Sequence, residues 1–344
     1  MNAKHPLLIE ELQEIARRPL PWDDLRGKTV AVTGAGGLVG NYLMRALDCA
    51  NQIHDLNLRL IALCRSIDRA RAQLNGVENV TFVPYDASKP IEADFRADYI
   101  VHAAANAHPM AFSADPVGTL WGNVFGVHEL LEHVRIHGGR LLMISTGEIY
   151  GENPEIDAFD EATFGAVDPM TPRACYPEGK RAAETLCAAY ARQYGVDALA
   201  ARLTYVYGAS ITDTNSRADA QFLRKALAGE DIILKSPGAQ VRSWCYAPDA
   251  VAALITLLLK GESGEAYNVA GRNGNASIRQ YAETLASLAG VQVVFDLPPE
   301  AEASGYSKVT RAVLSPAKLE ELGFEAVYPL REGLRRTLEI SKNE

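Results

Sequence analysis

Residues 27–40 read Gly-Lys-Thr-Val-Ala-Val-Thr-Gly-Ala-Gly-Gly-Leu-Val-Gly, and this stretch decides the fold. Its first half predicts a short buried strand over 28–33, because β-branched residues stand at 29, 30, 32 and 33. Glycines at 34, 37 and 40 then open a predicted helix that continues to about Ala50. A strand, a glycine-rich turn and a helix in this order present free N–H groups to a phosphate. The stretch therefore predicts a site for the pyrophosphate of a dinucleotide.

The composition is that of an acidic globular chain. Its 344 residues are 48% hydrophobic and 22% charged, which suits an ordinary soluble protein with two lobes. The net charge of -9 and the pI near 5.4 argue against nucleic acid as a partner, because no broad basic face is available. A phosphorylated ligand must then be held by a local pocket of arginine, lysine and backbone N–H groups.

The cysteines and the apolar runs bear on the compartment. Five cysteines, at 49, 64, 175, 187 and 245, lack C-x-x-C spacing, so we expect neither a disulfide framework nor a metal site. The most apolar run, 251–259, is too short to span a bilayer, and the N-terminus lacks the basic-then-apolar order of a signal peptide. The sequence therefore predicts a cytoplasmic protein without a membrane partner.

Strands and helices alternate after the first glycine turn. Apolar strands are predicted over 58–63, 80–83, 99–105, 140–145 and 198–205, and helices over 68–74, 122–137 and 176–194. Such alternation implies right-handed crossovers and a Rossmann-like, doubly wound parallel α/β sheet. Ligands of such sheets bind beyond the carboxyl ends of the strands.

The pattern divides the chain into three parts. Residues 1–27 form a predicted helical extension, whose apolar face either caps the sheet or serves a dimer. Residues 28–208 together with 241–270 are predicted to form the dinucleotide-binding domain. Residues 209–240 and 271–344 are predicted to form a smaller, discontinuous C-terminal substrate lobe. Within this lobe, Ser277-Ile-Arg-Gln280 predicts a helix that starts with a capping box.

Tyr176 and Lys180 form a candidate catalytic pair. They stand four residues apart on a predicted helix and therefore share one face. A cation beside a phenol favours the phenolate, so we expect the pKa of Tyr176 to fall from about 10 toward neutrality. A phenolate at cellular pH is a usable base. The spacing is common by chance, but here it follows a dinucleotide turn and Ser145-Thr146 at a strand end.

The motifs, taken together, resemble those of an extended short-chain dehydrogenase/reductase of the NAD-dependent epimerase/dehydratase family of nucleotide-sugar enzymes. They are Thr33-Gly34-x-x-Gly37-x-x-Gly40, Asp86, His102-Ala-Ala-Ala105, Thr146-x-x-x-Tyr150-Gly151 and Tyr176-x-x-x-Lys180. Within the family, segments 172–181 and 240–246 most resemble UDP-glucuronate decarboxylases, followed by sugar-nucleotide 4,6-dehydratases. The resemblance covers roughly residues 28–330 and implies a homodimer that acts on a nucleotide-diphosphate sugar.

The resemblance implies that Thr146, Glu148, Tyr176 and Lys180 are catalytic. Tyr176 would take the proton of the sugar C4 hydroxyl, Thr146 would bind the same oxygen, and hydride would pass to the nicotinamide. Lys180 would hold the cofactor ribose and the phenolate. Glu148 stands where related dehydratases keep a base for C5, which favours decarboxylation, 4,6-dehydration or C5 epimerisation. The alternatives are a local cap or ion pair for Glu148, and a 4-epimerase or 4-keto reductase for the chain.

Three positions depart from the family pattern. Gly147 stands where many dehydratases have an aspartate and the decarboxylases a serine, Tyr205 where asparagine is usual, and Ala209 where proline is usual. The resemblance implies a substrate site that includes Tyr205, with Arg242 as first candidate for the substrate pyrophosphate and Arg217 as second.

The cofactor site is implied by the same resemblance. Its expected residues are Gly34, Gly37, Leu38, Val39, Gly40, Arg65, Asp86, Ala103, Ala104 and Lys180. The choice of cofactor depends on the end of the second strand, where Cys64-Arg65-Ser66 carries no acid that would bind a ribose 2′-hydroxyl. Arg65 can instead pair with a 2′-phosphate or stack on adenine. The sequence thus favours NADP over NAD, and the family places Asp86 against the adenine amino group.

Overall fold

The structure is a computed structural model that describes residues 2–107, 109–210, 215–297 and 310–342. Its strands are β1 Thr29–Thr33, β2 Arg59–Cys64, β3 Val80–Pro84, β4 Tyr99–His102, β5 Arg140–Thr146, β6 Asp197–Leu203, β7 Tyr205–Tyr207, β8 Ile232–Leu234, β9 Val241–Tyr246, β10 Ala266–Val269, β11 Asn275–Ser277, β12 Val293–Phe295 and β13 Arg311–Ala312. Its α-helices are α1 Pro6–Ala16, α2 Leu38–His54, α3 Ile67–Gln73, α4 Pro109–Ala114, α5 Pro116–His137, α6 Cys175–Tyr194, α7 Ala218–Leu227, α8 Ala247–Lys260, α9 Ile278–Ala289, α10 Ala317–Glu320 and α11 Leu330–Ser341.

The main sheet has seven parallel strands in the order β10-β6-β5-β4-β1-β2-β3. Val30 of β1 pairs with Leu60 on one side and with Tyr99 on the other. Every residue of β1 is buried, because helices cover both faces of the sheet. The predicted doubly wound parallel α/β fold is confirmed, and the strand order reverses between β1 and β4.

The N-terminal helix α1 is part of this packed core. Leu8, Leu12 and Ile15 lie in the same buried cluster as Leu43 of α2 and Val251 of α8. The sequence left two roles open for the apolar face of α1, namely covering the sheet or forming a dimer. In the structure this face packs within its own chain, against helices α2 and α8, which is nearer to the first role. Among the described helices, none combines the length and the apolar character needed to cross a membrane.

A smaller sheet is built around β9. Strand β11 pairs with it antiparallel on one edge, whereas β13 and β7 pair with it in parallel. This differs from the predicted boundary, which assigned 241–246 to the dinucleotide-binding domain and extended the sixth strand to Tyr205. The chain leaves the main sheet at Thr204 and returns to it through α8 and β10. Positions 211–214, 298–309, 343 and 344 of the predicted lobe lie outside the described residues.

The predicted and observed starts of two helices, α9 and α5, can be compared. The capping box at Ser277 is confirmed, because its hydroxyl accepts from the Gln280 N–H at 3.0 Å and the Gln280 side chain accepts from the Ser277 N–H at 2.8 Å. Helix α5 begins six residues before the predicted start at 122. Asp115 caps it by accepting from Gly118 N–H at 2.9 Å, a signal that the two glycines of the first turns obscured.

Candidate active site

A cavity of about 850 Å³ opens at the carboxyl edge of the seven-stranded sheet. Residues that follow β1, β4 and β5 line it. The lining also includes Thr204, Tyr205, Val206, Ser210, Asn215, Arg217, Ala312 and Leu314. The cavity lies where the strand order reverses, which is the ligand position expected of a doubly wound sheet.

The glycine turn forms one wall of this cavity. Gly34 has φ +65°, and a Cβ there would lie 2.9 Å from the carbonyl carbon of Ala103. A Cβ on Gly40 would lie 2.3 Å from the oxygen of Gly34, so turn and helix pack without room for a side chain. Gly37 is the residue before α2, and the first residues of that helix line the cavity. The free N–H groups of the helix N-terminus fit a pyrophosphate.

The cavity brings together most of the predicted site residues. Its lining includes Gly34, Gly37, Leu38, Val39, Gly40, Ala103, Thr146, Glu148, Tyr176, Lys180, Tyr205 and Arg217. The predicted residues Arg65, Asp86, Ala104 and Arg242 are not part of the lining. Ala104 is connected to the end of β1, because its N–H donates to the Thr33 hydroxyl at 2.9 Å.

Tyr176 stands in the middle of the cavity wall on α6. Its side chain is buried, and its hydroxyl is hydrogen-bonded to the side chain of Thr146. The Thr146 hydroxyl also accepts from the Glu148 N–H at 3.2 Å, which fixes the turn after β5. The ring of Phe112 stacks on Tyr176 with centroids 4.8 Å apart. Two neighbours therefore hold the phenol in one orientation.

The expectation that Lys180 lowers the pKa of Tyr176 is wrong for the chain by itself. Burial raises the pKa of Tyr176 well above 10, and the negative charge of Glu148 raises it further. The hydrogen bond from Thr146 and the charge of Arg217 lower that pKa only in part. Sequence spacing correctly indicated a shared helix but could not include the cost of burying the phenolate.

Lys180 belongs to the cavity lining but is almost fully buried. Its ammonium donates to the Ile144 carbonyl at 2.8 Å. Burial lowers the pKa of Lys180 to about 8, although the nearby Glu184 carboxylate raises it. Glu184 in turn accepts from the Arg202 guanidinium at 2.8 Å and from the Ser145 hydroxyl. This buried network anchors the end of β5, next to Thr146.

Glu148 has both a local partner and access to the cavity. Its carboxylate accepts from the Arg173 guanidinium at 2.9 Å, while its side chain stays 26% exposed and belongs to the lining. The ion pair that the sequence left open as an alternative is therefore present. It does not remove Glu148 from the site, since the same carboxylate faces the cavity.

The two predicted pyrophosphate arginines lie at different depths. Arg217 lines the cavity and donates to the Val206 carbonyl at 2.7 Å and to Asp219 at 2.8 Å. Arg242 is buried outside the lining, with its guanidinium 5.5 Å from the centre of the Tyr205 ring. Of the two candidates, only Arg217 belongs to the described cavity lining, whereas Arg242 packs against the Tyr205 ring.

The cofactor-selecting positions lie beyond the cavity at the ends of β2 and β3. Arg65 is exposed, and the Ser66 hydroxyl caps α3 by accepting from the Arg69 N–H at 3.4 Å. Asp86 accepts from the Ser88 N–H at 3.0 Å, which is the main reason why its pKa is lowered. The positive charge of Arg65 adds to this effect, so the two side chains lie close to each other.

Sequence reasoning missed two lining or neighbouring side chains. Arg173 stands inside the segment that carried the family resemblance, but its ion pair with Glu148 joins positions 25 residues apart. Phe112 lies in α4, and nothing in its local pattern indicated a contact with Tyr176. Over the described part of the chain, no group of three or more potential ligands is arranged for a metal ion, and all five cysteines are free.

The fold and the site define an extended short-chain dehydrogenase/reductase. The family model described as "NAD dependent epimerase/dehydratase family" matches residues 30–270, and the chain belongs to this family. UDP-glucuronic acid decarboxylase 1 of Danio rerio is 32% identical over 318 residues, which cover 92% of this chain and 73% of that protein. UDP-glucuronic acid decarboxylase 6 of Arabidopsis thaliana is 31% identical over 309 residues, covering 89% and 86%. The predicted resemblance to decarboxylases is confirmed.

Solved structures show the same fold. The dTDP-glucose 4,6-dehydratase DesIV of Streptomyces venezuelae, with NAD and TYD bound, is 26% identical with a TM-score of 0.76, covering 90% of this chain and 96% of that one. The UDP-glucose 4-epimerase of Thermotoga maritima, with UDP-glucose, is 25% identical with a TM-score of 0.77, covering 90% and 97%. Dehydratases and epimerases thus share the fold of this chain.

Proposed function

We propose that this protein is an NAD(P)-dependent nucleotide-sugar lyase. It oxidises the C4 hydroxyl of the sugar and then acts at C5, by decarboxylation of a UDP-glucuronate-like substrate or by 4,6-dehydration. The observation that carries the proposal is the grouping of Thr146, Glu148 and Tyr176 along one cavity that the dinucleotide turn also lines. The decarboxylases of Danio rerio and Arabidopsis thaliana, at 32% and 31% identity, favour decarboxylation.

The first step is removal of the C4 hydroxyl proton. Tyr176 accepts this proton, and Thr146, which is hydrogen-bonded to Tyr176, orients the same substrate oxygen. When bound, the nicotinamide supplies the acceptor for the C4 hydrogen as hydride and later returns it. Because burial raises the pKa of Tyr176, the chain alone favours the protonated phenol. The oxidised nicotinamide, when bound, would supply a positive charge that favours the phenolate.

The second step uses the ketone formed at C4. In a hexuronic acid this ketone is β to the C6 carboxylate, so the C5–C6 bond breaks, CO₂ leaves and the electron pair is delocalised onto the C4 oxygen. In a neutral hexose the ketone acidifies the C5 hydrogen. Glu148 removes it as a proton and passes that proton to the C6 hydroxyl, which leaves as water while a C5–C6 double bond forms. Glu148 lines the cavity and, paired with Arg173, supplies a carboxylate for either course.

The alternative is a 4-epimerase or a 4-keto reductase. Both need Tyr176, Thr146 and Lys180 but no acid or base at C5. The epimerase of Thermotoga maritima, at 25% identity and a TM-score of 0.77, favours this alternative. A reductase would consume NADPH in proportion to product, whereas a lyase turns over without added reductant.

We further propose NADP as the preferred cofactor. Arg65 is exposed at the end of β2, and no acid stands there to bind a ribose 2′-hydroxyl. The guanidinium can pair with a 2′-phosphate through two parallel hydrogen bonds. Asp86, close to Arg65, is the acceptor that we assign to the adenine amino group.

We also propose that the protein forms a homodimer whose interface consists of α5 and α6. The two helices pack against each other, and α5 exposes large apolar side chains at Val117, Trp121 and Ile136. A surface of this kind favours association with a second copy. Light scattering of the protein and of Trp121→Glu tests this point, since the variant is expected to be monomeric.

Incubation with single sugar nucleotides tests the activity. UDP-glucuronate is expected to release one CO₂ per turnover without added reductant, and a dehydratase would instead form a 4-keto-6-deoxy sugar from UDP-glucose or dTDP-glucose. Mass spectrometry of cofactor released from the native protein tests NADP against NAD. Interconversion of UDP-glucose and UDP-galactose without lyase products would contradict the lyase and support the epimerase.

A further inference from the structure

Arg173 is a cation of the cavity wall that the mechanism above leaves without a direct role. It lies in the short helical turn Pro172–Ala174 that precedes α6, and its side chain is 51% exposed. Its guanidinium lies 5.8 Å from the centre of the Phe112 ring, the same ring that stacks on Tyr176. The turn therefore places this cation in the same cavity lining as Tyr176, next to the Phe112 ring that stacks on Tyr176.

The other cations of the described lining are more buried than Arg173 and hold protein partners, although the Nε of Arg217 has no hydrogen-bond partner. Lys180 is buried and donates to the Ile144 carbonyl, and Arg217 bonds the Val206 carbonyl and Asp219. Arg173 differs from both because it is half exposed. Among the described residues, its hydrogen bond runs through one terminal nitrogen, Nη2, to Glu148. A guanidinium has five N–H donors in a planar fork, so Nη1 and Nε stay available for a second carboxylate.

The charge balance around this point shows why a cation is needed. Glu148 raises the pKa of Tyr176 and of Tyr205, which means that its negative charge is felt at both phenols. Arg173 lowers the pKa of Tyr205. Without Arg173, the carboxylate of Glu148 would repel an anionic sugar from the place where C4 must meet Tyr176.

We propose that Arg173 binds the C6 carboxylate of the sugar, and that the preferred substrate is therefore a nucleotide-activated hexuronic acid. Arg173 is a specificity-determining residue that bridges Glu148 and the substrate carboxylate. The inference rests on the proposed function, because it deepens the choice between decarboxylation and dehydration at that site. The carboxylate leaves as neutral CO₂, so this contact stabilises the bound substrate more than the transition state and acts on KM more than on kcat.

Calorimetric binding to the full chain loaded with cofactor tests the inference, with UDP-glucuronate and UDP-glucose as probes. Arg173→Gln is expected to weaken UDP-glucuronate binding roughly ten- to hundredfold, the range for a lost hydrogen-bonded charge pair. UDP-glucose binding should change less than about twofold, because no carboxylate is lost from the contact. Arg173→Lys, which keeps the charge without the fork, should fall between the wild type and Arg173→Gln for UDP-glucuronate.

Arg279→Gln is the matched control. Arg279 also pairs with a glutamate, Glu283 at 2.7 Å, also lies over a phenyl ring, Phe295 at 5.1 Å, and is 55% exposed, but it is not part of the cavity lining. Its substitution should leave both affinities unchanged. Equal losses for the two probes in Arg173→Gln, or no loss for either, would overturn the inference.

The wild-type protein separates this inference from the proposed function. Tighter binding of UDP-glucuronate than of UDP-glucose, lost in Arg173→Gln, supports the carboxylate contact even if no CO₂ is released, an outcome that would overturn the lyase alone. Formation of a 4-keto-6-deoxy sugar together with equal affinities for the two probes would overturn the contact and keep the lyase. Binding of neither probe would overturn both.

Discussion

The two walls of the cavity are built in different ways. The wall around Gly34 and Gly40 is backbone: its shape comes from a turn in which a Cβ would collide with the chain. The other part of the lining, the side-chain wall with Glu148, Arg173 and Arg217, is made of side chains whose charges are balanced by partners. The backbone wall needs one continuous stretch of sequence, whereas the side-chain wall needs positions that only folding brings together. We propose that the backbone wall binds the cofactor and that the side-chain wall selects the substrate.

The largest effect is expected where the two walls meet, at Tyr176. Tyr176→Phe removes the proton acceptor while keeping the ring stacked on Phe112, so turnover should fall roughly a thousandfold with cofactor affinity unchanged. Steady-state kinetics together with cofactor fluorescence titration measure both. Tyr205→Phe is the control, since it also lines the cavity and should cost less than about tenfold. Full turnover in Tyr176→Phe would refute the mechanism.

Gly34→Ala is expected to distort the backbone wall and thereby to weaken cofactor binding. The added Cβ would meet the Ala103 backbone at 2.9 Å, and we expect cofactor affinity to fall roughly a hundredfold as the turn is displaced. Gly195→Ala is the matched control, because its φ of +68° resembles the +65° of Gly34 but nothing lies near its Cβ. It should lose about 1 kcal/mol of stability and keep cofactor affinity. Equal cofactor affinities in the two variants would contradict the collision.

The stability of the fold around strand β9 is expected to depend on pH. Strand β9 ends at Tyr246, whose hydroxyl donates to the buried Glu11 carboxylate of α1 at 2.7 Å. Burial raises the pKa of Glu11 from 4.5 to about 7. Since the folded pKa is the higher one, stability from this group is fully present below pH 4.5 and is lost as pH rises through about 7.

Glu11→Gln removes this titration. Relative to the wild type, the variant should gain about 3 kcal/mol in the free energy of unfolding between pH 4.5 and pH 8, measured by urea denaturation. Glu283→Gln is the control, because Glu283 pairs with Arg279 on α9 and is not among the groups that act on Glu11, so it should keep the wild-type pH dependence. Parallel stability curves for Glu11→Gln and the wild type would show that Glu11 does not titrate in this range.

The smallest effect is expected at Arg65, which follows strand β2. Arg65→Ala should raise the KM for NADP roughly tenfold and leave that for NAD unchanged, because only the 2′-phosphate loses a partner. Arg71→Ala is a control on the neighbouring helix, where the guanidinium lies over the Phe82 ring at 5.3 Å. An equal change for both cofactors would assign Arg65 to adenine stacking instead.

Prediction from sequence succeeded where contacts are local. The turn at Gly34, the capping box at Ser277 and the shared helix of Tyr176 and Lys180 all involve residues within about two helical turns of one another. It failed for the end of the sixth strand, predicted at Tyr205, because the chain leaves the main sheet after Leu203 and Tyr205 pairs with β9 instead. It also failed for the pKa of Tyr176, which depends on burial and on Glu148.

The amino-acid pattern alone was enough to predict the strand–turn–helix at Gly34 and the alternation of parallel strands with helices, because backbone periodicity and glycine sterics act over short distances. Tertiary structure alone decided that Arg173 pairs with Glu148, that Arg217 and not Arg242 lines the cavity, and that α1 is packed into the core. Those outcomes depend on burial and on charges from distant parts of the chain, which only the packed fold brings within reach.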